Sequence, residues 1–344
     1  MGRRSKKKFT LKFPKGKKDN NPTAGGSSSP PPPPWVELPR DVTENILRRL
    51  GPVEILQNAQ KVCTTWRSVC RDPSMWRVID VKDFDDDHEL FFSDVIICRR
   101  AVDRSQGELI DINIEYFGTD DLLRYISERS SRLKRLRLGC CDCISGVGLT
   151  AAVKKFPNLE ELHLFFMPLI TAIDIEAISI SCPKLNSFTF NNRGYRFPLV
   201  EIDDSYALAI AKNMPNLRHL RLFGNRLSNY GLKAILDGCP NLESLDLRQC
   251  FSVDLQGAFG SVCSERIKYL KRPSDSTTDY EWDDKIYDDE YYYTDSSENY
   301  SDGDYEDYED YGYYENYDDY TNPFNDLPFP ANLVWYDRDE DDYL

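Results

Sequence analysis

Apolar residues recur along the middle of the chain in the pattern L-x-x-L-x-L, with mostly polar residues at the x positions. The clearest copies start at residues 133, 159, 185, 217 and 242, weaker copies start at 109 and 267, and a related pattern spans 76–81. Most copies start 24 to 26 residues apart, and one interval is 32. This alternation predicts a short strand in each copy, followed by a helical return. Stacking of such units would bury the faces that one unit alone exposes.

Three copies are almost identical in wording: PNLEEL, PNLRHL and PNLESL. This signature and its period are typical of leucine-rich repeats. Cys141 and Cys250 stand three residues after the last leucine of a strand, which is the Asn or Cys position of such repeats. Cys182 and Cys239 precede the proline that opens the next strand. We interpret these four cysteines as structural.

The segment before the repeats predicts three helices within residues 35–76. The first follows Pro39 and ends at Gly51-Pro52, and the third ends at Asp72-Pro73. The expected apolar stripes are Val42, Ile46, Leu47 and Leu50 on the first helix, Val53, Leu56 and Ala59 on the second, and Val62, Trp66 and Val69 on the third. So short a segment lies near the lower limit for independent folding, so a second surface is expected to cover it.

Two groups of cysteines are candidate metal ligands. Cys63 and Cys70 lie two helical turns apart beside the third stripe, and Cys140, Cys141 and Cys143 form the run CCDC. A structural zinc site normally combines two close ligand pairs, and neither group has a second pair or a nearby histidine. We therefore predict no metal site and interpret Cys63 and Cys70 as small buried apolar residues. Scattered cysteines without a secretory leader indicate a reducing compartment.

Motifs for catalysis and membrane insertion are missing from the sequence. None of the phosphate-binding, metalloprotease, serine-hydrolase or kinase motifs occurs, and the three histidines, His88, His163 and His219, provide few general bases. We expect a non-catalytic protein without cofactors. No run of 18 apolar residues could span a membrane, and Lys6 stands where N-myristoylation requires Ser or Thr. Membrane attachment is therefore not expected.

The segment at residues 35–76 resembles an F-box. The family pattern L-P-x-(D/E)-(V/L)-x-x-x-I-L-x-x-L, V-C-(K/R)-x-W-R and D-P-x-(L/M)-W is matched by Leu38, Pro39, Asp41, Val42, Ile46, Leu47 and Leu50, by Val62, Cys63, Trp66 and Arg67, and by Asp72, Pro73, Met75 and Trp76. Thr64 departs from it, at a position where a basic residue is frequent. With the repeats, the resemblance is to F-box/leucine-rich-repeat proteins, most closely their plant branch, over residues 35–272.

This resemblance implies a substrate-receptor subunit of a Skp-cullin-F-box ubiquitin ligase. The F-box of that family binds a Skp-type adaptor, and through it the cullin and RING subunits, while the repeats bind a client protein for ubiquitination and proteasomal degradation. The residues expected to bind the adaptor are Leu38, Pro39, Val42, Ile46, Leu47, Leu50, Leu56, Val62 and Trp66. The adaptor would then cover the apolar stripes of the three helices.

Residues at the x positions of the repeats should form the exposed row of the concave sheet face. Arginine beside exposed aromatic residues is enriched at protein-binding hot spots, although any concave strand face must also carry polar residues. The residues expected to bind a client are Arg135, Arg137, Glu161, His163, Phe165, His219, Arg221, Phe223, Asp246 and Arg248.

Both ends of the chain are strongly charged. Residues 1–20 contain nine Lys or Arg and one Asp, a net charge of +8, and residues from 273 onward contain 25 Asp or Glu and two Lys or Arg, a net charge of -23. These ends alone give the overall net charge of -15. We predict an α/β protein with a disordered basic tail and proline-rich linker at 1–34, a three-helix F-box at 35–76, a repeat solenoid of parallel strands and helices at 77–272, and a disordered, acidic, tyrosine-rich tail at 273–344.

The tails leave alternatives open. The basic terminus is either a solvated end or a functional segment, for which a nuclear import signal is favoured over weak nucleic-acid contact, and a location in the nucleus, the cytoplasm or both is expected. The acidic tail should be attracted to the concave arginines, and its apolar island at 324–335 is either a docking motif or bare tail. The alternative to a substrate receptor is a non-catalytic nuclear interaction scaffold whose acidic tail binds basic proteins.

Overall fold

A computed structural model describes residues 38–82, 88–192 and 201–282, with side chains in the second range described from residue 94 onward. The predicted basic tail at 1–34, residues 283–344 of the acidic tail predicted at 273–344, and its apolar island lie outside these residues, as does the side chain of His88. Over the described residues the fold is α/β, with a helical module followed by a solenoid of parallel strands and helices, and the predicted fold class is confirmed.

The strands form one parallel eight-stranded sheet in sequence order. They are β1 Val78–Lys82, β2 Asp111–Glu115, β3 Arg135–Gly139, β4 Glu161–Phe165, β5 Ser187–Asn191, β6 His219–Arg221, β7 Ser244–Asp246 and β8 Tyr269–Lys271. Each strand falls within a predicted copy of the repeat. Parallel neighbours need a crossover connection, and here each crossover is one helical return.

The register aligns the middle apolar residue of every copy. Ile79 pairs with Ile112, and the ladder continues through Leu136, Leu162, Phe188, Leu220, Leu245 and Leu270. All of these except the half-buried Leu270 on the last strand are buried. Because strand side chains alternate between faces, this register sends one apolar face to the core and the polar x positions to the opposite, concave face.

The helices form a second layer against the apolar face. They are α1 Arg40–Leu47, α2 Pro52–Gln57, α3 Thr64–Cys70, α4 His88–Arg104, α5 Asp120–Arg129, α6 Gly146–Val153, α7 Ala172–Ser181, α8 Ser205–Asn213, α9 Asn229–Gly238 and α10 Gly257–Arg266, with 3₁₀ turns at Ala59–Lys61 and Pro73–Trp76. Successive helices from α4 to α9 pack side by side. The core therefore runs along the solenoid as one continuous layer.

The helical module closes the first edge of this core. α2 packs against α4 and β1, and Leu47, Val69 and Trp76 are buried in the same cluster as the repeat leucines. The Trp76 indole Nε1 donates a hydrogen bond to the carbonyl oxygen of Cys70 at 2.8 Å. The Arg104 guanidinium at the end of α4 donates to the same oxygen at 3.3 Å. The apolar surface of the three short helices is thus partly covered by the repeats themselves.

The structural interpretation of the repeat cysteines is confirmed. Cys141, Cys182, Cys239 and Cys250 are free thiols and are buried. The Cys250 Sγ donates to the carbonyl oxygen of Leu222 at 2.8 Å, and the Cys141 Sγ donates to that of Gly139 at 3.2 Å. Burial raises the pKa of the Cys141 thiol to about 12, so this thiol stays protonated and satisfies a turn carbonyl.

A carboxylate from one repeat supports the start of the helix in a later repeat. Asp120 accepts hydrogen bonds from the backbone N–H of Ser145 at 2.9 Å and from its hydroxyl at 2.6 Å, and the Ser145 Oγ caps α6 by accepting from the Gly148 N–H. Asp204 contacts Ser228 at the start of α9 in the same way. The sequence analysis did not identify these contacts, which fix the spacing of adjacent helices.

The expected start of the acidic tail at residue 273 differs from the structure. Residues 273–282, here called the returning segment, pack back onto the last repeats. The Gln249 N–H donates to the carbonyl oxygen of Pro273 at 2.9 Å, and the rings of Tyr280 and Trp282 stack on Phe223 and Phe165. The acidic and tyrosine-rich composition predicted a tail here, and no local pattern shows that Tyr280 and Trp282 contact the repeats.

Two properties of the described part of the chain bear on its function class. No helix there is long and apolar enough to cross a membrane. No group of three or more His, Cys, Asp or Glu residues there is placed to hold a metal ion. Cys140 is half-buried, Cys141 is buried and Cys143 is exposed, so the CCDC run does not point its three thiols into one environment.

Close packing between helices gives a test of the solenoid. A Cβ atom added at Gly238, the last residue of α9, would lie 2.0 Å from the backbone oxygen of Ala211 on α8. We expect Gly238→Ala to lower the free energy of unfolding by about 1 to 3 kcal/mol, because backbone must move to admit the methyl group. Urea denaturation of the purified chain measures this. Gly51→Ala, where nothing lies within 4 Å of the added atom, is the control, and equal losses for both variants would contradict the packing argument.

Candidate protein-binding surfaces

The first helix presents an apolar surface to solvent. Val42, Ile46 and Leu50 follow one another at intervals of four residues, so they share one side of α1 and the turn after it. Val42 is 39% exposed and Ile46 is 42% exposed, while Leu50 is half-buried against the core. Pro39 is exposed beside them, and Leu38 is half-buried. Exposed apolar residues grouped in this way are typical of a protein-binding surface.

Two residues expected at the adaptor surface lie elsewhere. Leu47 is fully buried and Leu56 is nearly so, and both belong to the internal core. Leu47 follows Ile46 by one residue, which turns its side chain about 100° around the helix axis and away from solvent. The sequence pattern placed each leucine in the apolar stripe of its own helix, and a helix that contacts both the core and a partner has a wide apolar side. Their expected exposure is therefore corrected.

The third expected stripe is divided between two environments. α3 begins only at Thr64, so Val62 lies in the preceding turn and is 44% exposed, whereas Val69 is buried. Trp66 is half-buried, packs against the core, and its indole Nε1 is a buried atom without a hydrogen-bond partner among the described residues. Cys63 is half-buried and caps α3, its Sγ accepting from the Trp66 N–H at 3.5 Å. Packing is confirmed for Cys70, which is buried, and only partly for Cys63.

The concave face of the first repeats carries a chain of ion pairs. The Arg135 guanidinium contacts Asp111 at 2.9 Å on one side and Glu161 at 2.5 Å and 2.7 Å on the other. Glu161 also lies 3.3 Å from the His163 Nε2, and the His163 Nδ1 lies 2.8 Å from the Thr189 hydroxyl. Arg137 joins the chain through Asp111 at 3.3 Å. The strand register places these residues side by side, so they form one polar ridge.

The later repeats bury several residues expected to be exposed. Arg248 is 1% exposed, and Phe165, Phe223 and Asp246 are also buried. The Arg248 guanidinium pairs with Asp246 at 2.7 Å. The returning segment covers the rings of Phe223 and Phe165 by stacking Tyr280 and Trp282 on them. Period-two alternation cannot show a segment that returns from beyond the repeats. For these four residues the expected exposure is corrected, and the role in client binding stays a prediction.

The remaining residues of the predicted client row stay accessible. His219 is exposed, and Arg221, Arg135, Arg137, Glu161 and His163 are half-buried. The Arg221 Nε lies 3.7 Å from the Asp246 carboxylate. Sequence reasoning missed Asp111, Asn113 and Glu115, which are buried polar residues of β2. They belong to a weaker repeat copy, and applying the same alternation to that copy would have identified Asp111 and Asn113 as partners of Arg135 and Arg137.

A helical module with an exposed apolar surface, joined to a repeat solenoid with a polar concave face, is the architecture of an F-box protein with leucine-rich repeats. Residues 35–82 match the F-box-like family, and residues 215–257 match the family described as Leucine Rich repeats (2 copies). The chain belongs to the F-box/leucine-rich-repeat family, as its relatives show. This membership confirms the resemblance noted in the sequence.

Relatives come from Arabidopsis thaliana. F-box protein SKIP19 is 47% identical over 272 residues, which cover 79% of this chain and 88% of the relative. Putative F-box/LRR-repeat protein 23 is 50% identical over 243 residues, which cover 70% of this chain and 54% of the relative. A chain in the crystal structure of the yeast Rad7 and Elc1 complex is similar with a TM-score of 0.40 and 16% identity, covering 69% of this chain and 66% of that chain.

The ion pairs of the concave face make stability depend on pH. Hydrogen bonds from His163 and Arg135 lower the pKa of Glu161 from 4.5 to about 2. Since the folded-state pKa is the lower one, this carboxylate stabilises the fold fully above about pH 4.5, and its contribution is lost as the pH falls toward 2. We expect Glu161→Gln to lower the free energy of unfolding by about 1 to 2 kcal/mol at pH 6, after allowance for solvent screening.

The difference between wild type and Glu161→Gln should shrink steadily between pH 5 and pH 2.5. Denaturant titrations at several pH values measure it. Glu160→Gln is the matched control, because Glu160 is the preceding residue and makes an exposed pair with Lys134 at 2.9 Å. A pH-independent difference for Glu161→Gln would show that its charge does not stabilise the fold.

Proposed function

We propose that this protein is the substrate-receptor subunit of a Skp-cullin-F-box ubiquitin ligase. In this proposal the F-box binds a Skp-type adaptor, which connects it to cullin and RING subunits, and the repeats hold a client protein for ubiquitination and proteasomal degradation. The observation that carries the proposal is the exposed apolar side of α1 within a segment that matches the F-box-like family. Grouped exposed apolar residues such as Val42, Ile46 and Val62 typically mark a surface that a partner protein covers.

The division between exposed and buried residues refines the adaptor surface. We propose that Leu38, Pro39, Val42, Ile46, Leu50 and Val62 contact the adaptor directly, with Trp66 completing the surface from its half-buried position. Leu47 and Leu56 act from beneath by fixing α1 and α2 on the core. Substitutions at the exposed residues should therefore weaken adaptor binding, whereas substitutions at Leu47 or Leu56 should destabilise the fold.

In this proposal the chain itself catalyses no reaction. Ubiquitin transfer would belong to other subunits, and the contribution of this chain would be to hold the client near them, which raises the effective concentration of its lysines. The accessible part of the predicted client row, from Arg135 to Arg221, is the surface that we propose for the client. Its half-buried arginines are already oriented by carboxylates, so little side-chain freedom would be lost on binding.

Adaptor binding is tested at Ile46. We expect Ile46→Asp to reduce capture of a purified Skp-type adaptor at least about tenfold, because a carboxylate would be desolvated at the interface without a partner. The melting temperature should change little, since Ile46 is already half in water. The control is Ile173→Asp on the repeats, where the side chain is 80% exposed. Full adaptor capture by Ile46→Asp would refute the proposal, and the scaffold alternative would then be favoured.

Location is proposed from the basic end. Nine Lys or Arg within residues 1–20 are compatible with nuclear import, and we propose a protein of the nucleus and cytoplasm. We expect replacement of Lys6, Lys7 and Lys8 by Ala to shift a fluorescent fusion of the full chain from nucleus to cytoplasm. An unchanged distribution would leave the basic end as a solvated terminus. Fluorescence microscopy of living plant cells measures the ratio of nuclear to cytoplasmic fluorescence.

A further inference from the structure

The returning segment, residues 273–282, contacts the concave face through one acidic and two aromatic side chains. Asp279 lies between two cations, with its Oδ1 against the Arg248 guanidinium and its Oδ2 2.5 Å from the Lys271 Nζ. Arg248 also donates to the carbonyl oxygen of Ser276 at 2.9 Å, so it holds both the side chain and the backbone of the segment. These contacts define a subsite for a carboxylate at the end of the sheet.

The next subsite accepts a tyrosine ring. Tyr280 stacks on Phe223 with ring centroids 3.7 Å apart and an angle of 5° between the planes. The Asn191 Nδ2 donates to the Tyr280 hydroxyl at 3.0 Å. A phenylalanine would retain the stacking but lose this bond, so the subsite is selective for a phenol. Asn191 is itself fully buried, and its Oδ1 accepts from the Phe223 N–H at 3.2 Å, which fixes the direction of the amide.

The third subsite accepts an indole. Trp282 stacks on Phe165 with centroids 5.0 Å apart and meets the edge of Phe166 at 5.9 Å. The absence of a side chain at Gly139 makes room for it, since a Cβ atom there would lie 2.2 Å from the indole Cη2. Gly139 has a strand conformation that any residue could adopt, so space for the ring, rather than backbone geometry, requires glycine here.

We propose that these three subsites form a recognition groove for an acidic and aromatic peptide of the form Asp-Tyr-x-Trp, presented by a client protein, and that the returning segment occupies this groove in cis. The six residues that define the groove are Arg248, Lys271, Asn191, Phe223, Phe165 and Gly139. This inference rests on the proposed function in one respect, namely that the repeats are the client-binding part. The client's peptide would displace residues 279–282 and inherit their contacts.

Charge and sequence support an acidic peptide as the occupant. The groove presents the cations of Arg248 and Lys271 at one end, which is complementary to an acidic segment and repels a basic one. Asp-Tyr recurs in the chain at residues 304–305, 307–308, 310–311, 319–320 and 342–343, but only Asp279 to Trp282 adds a Trp two residues after the Tyr. The indole subsite therefore distinguishes the seated segment from the other Asp-Tyr pairs.

Peptide binding to an opened groove tests the proposal. The probe is a fluorescein-labelled peptide with the sequence of residues 274–284, SDSTTDYEWDD, and the receptor is the full chain carrying Tyr280→Ala and Trp282→Ala. Fluorescence anisotropy should show binding that is at least about tenfold tighter than binding to the wild-type chain, whose own segment competes from a high effective concentration. Replacing the Tyr or the Trp of the probe by Ala should weaken binding about thirtyfold.

The chain supplies two matched controls. A peptide of residues 303–313, GDYEDYEDYGY, has the acidic and tyrosine chemistry without the Trp, and we expect it to bind at least about tenfold more weakly than the probe. Adding Gly139→Val to the opened receptor should weaken the probe to a similar extent, because its side chain fills the indole subsite. Asp279→Lys provides a second opened receptor, which releases the segment by repulsion from Arg248 and Lys271 and leaves both aromatic residues in the chain.

The results separate this proposal from the previous one. If both opened receptors bind the probe no better than the wild-type chain does, or if the 303–313 peptide binds equally well, the groove does not recognise Asp-Tyr-x-Trp. Adaptor capture by the same opened receptors, measured in parallel, reports whether they are folded and whether the F-box acts as proposed. Capture with no peptide binding overturns the groove alone, and loss of capture by every receptor including wild type overturns the proposed function.

Discussion

The architecture depends on the requirement that every strand–helix unit bury its apolar face against a neighbour. A buried apolar residue at the same position of each strand forms a ladder from Ile79 to Leu245. A single strand–helix unit could not shield its apolar face from water without a neighbour. Such an array has two ends that need cover. The F-box helices cover the first end through α2, and β8 ends the sheet at the other, where Leu270 is only half-buried. The helical module and the repeats share one core, so we expect them to fold together.

This requirement also explains the surface. Because the apolar residues of the repeat pattern face the helices, the opposite sheet face carries mostly polar residues in register, and opposite charges lie on adjacent strands. Asp111, Arg135 and Glu161 compensate one another across three repeats. Further along, the balance is completed by a residue from outside the repeats, since Asp279 supplies a carboxylate to Arg248 and Lys271. The same face therefore carries a network of ion pairs in its first half, and in its second half it carries the groove that we propose for ligand recognition.

The exposure of the proposed binding residues was predictable where the local pattern decides it. The F-box motif gave Pro39, Val42, Ile46 and Val62, and the structure leaves all four exposed. The resemblance also implied adaptor contacts for Leu47 and Leu56, which are buried in the core shared with the repeats, because helical periodicity identifies apolar residues without showing which partner covers them. On the concave face alternation identified Arg135 and Glu161 as sheet-face residues. It could not show that Arg248 and Phe223 are covered by a segment that the charge count had assigned to a tail.

The sequence alone determined the period of the repeats, the position of each strand, the identity of the helical module and the chemistry of the buried cysteines. Those features depend on residues close in the chain, whose spacing is fixed by helix and strand geometry. Tertiary structure decided which apolar residues remain exposed, which carboxylate caps a later helix, and where the aromatic residues of the returning segment lie. Asn191 and Tyr280 are 89 positions apart in sequence. Their contact forms because the stacked strands place Asn191 on the face to which the returning segment packs. No local sequence pattern encodes a contact between residues so far apart in the chain.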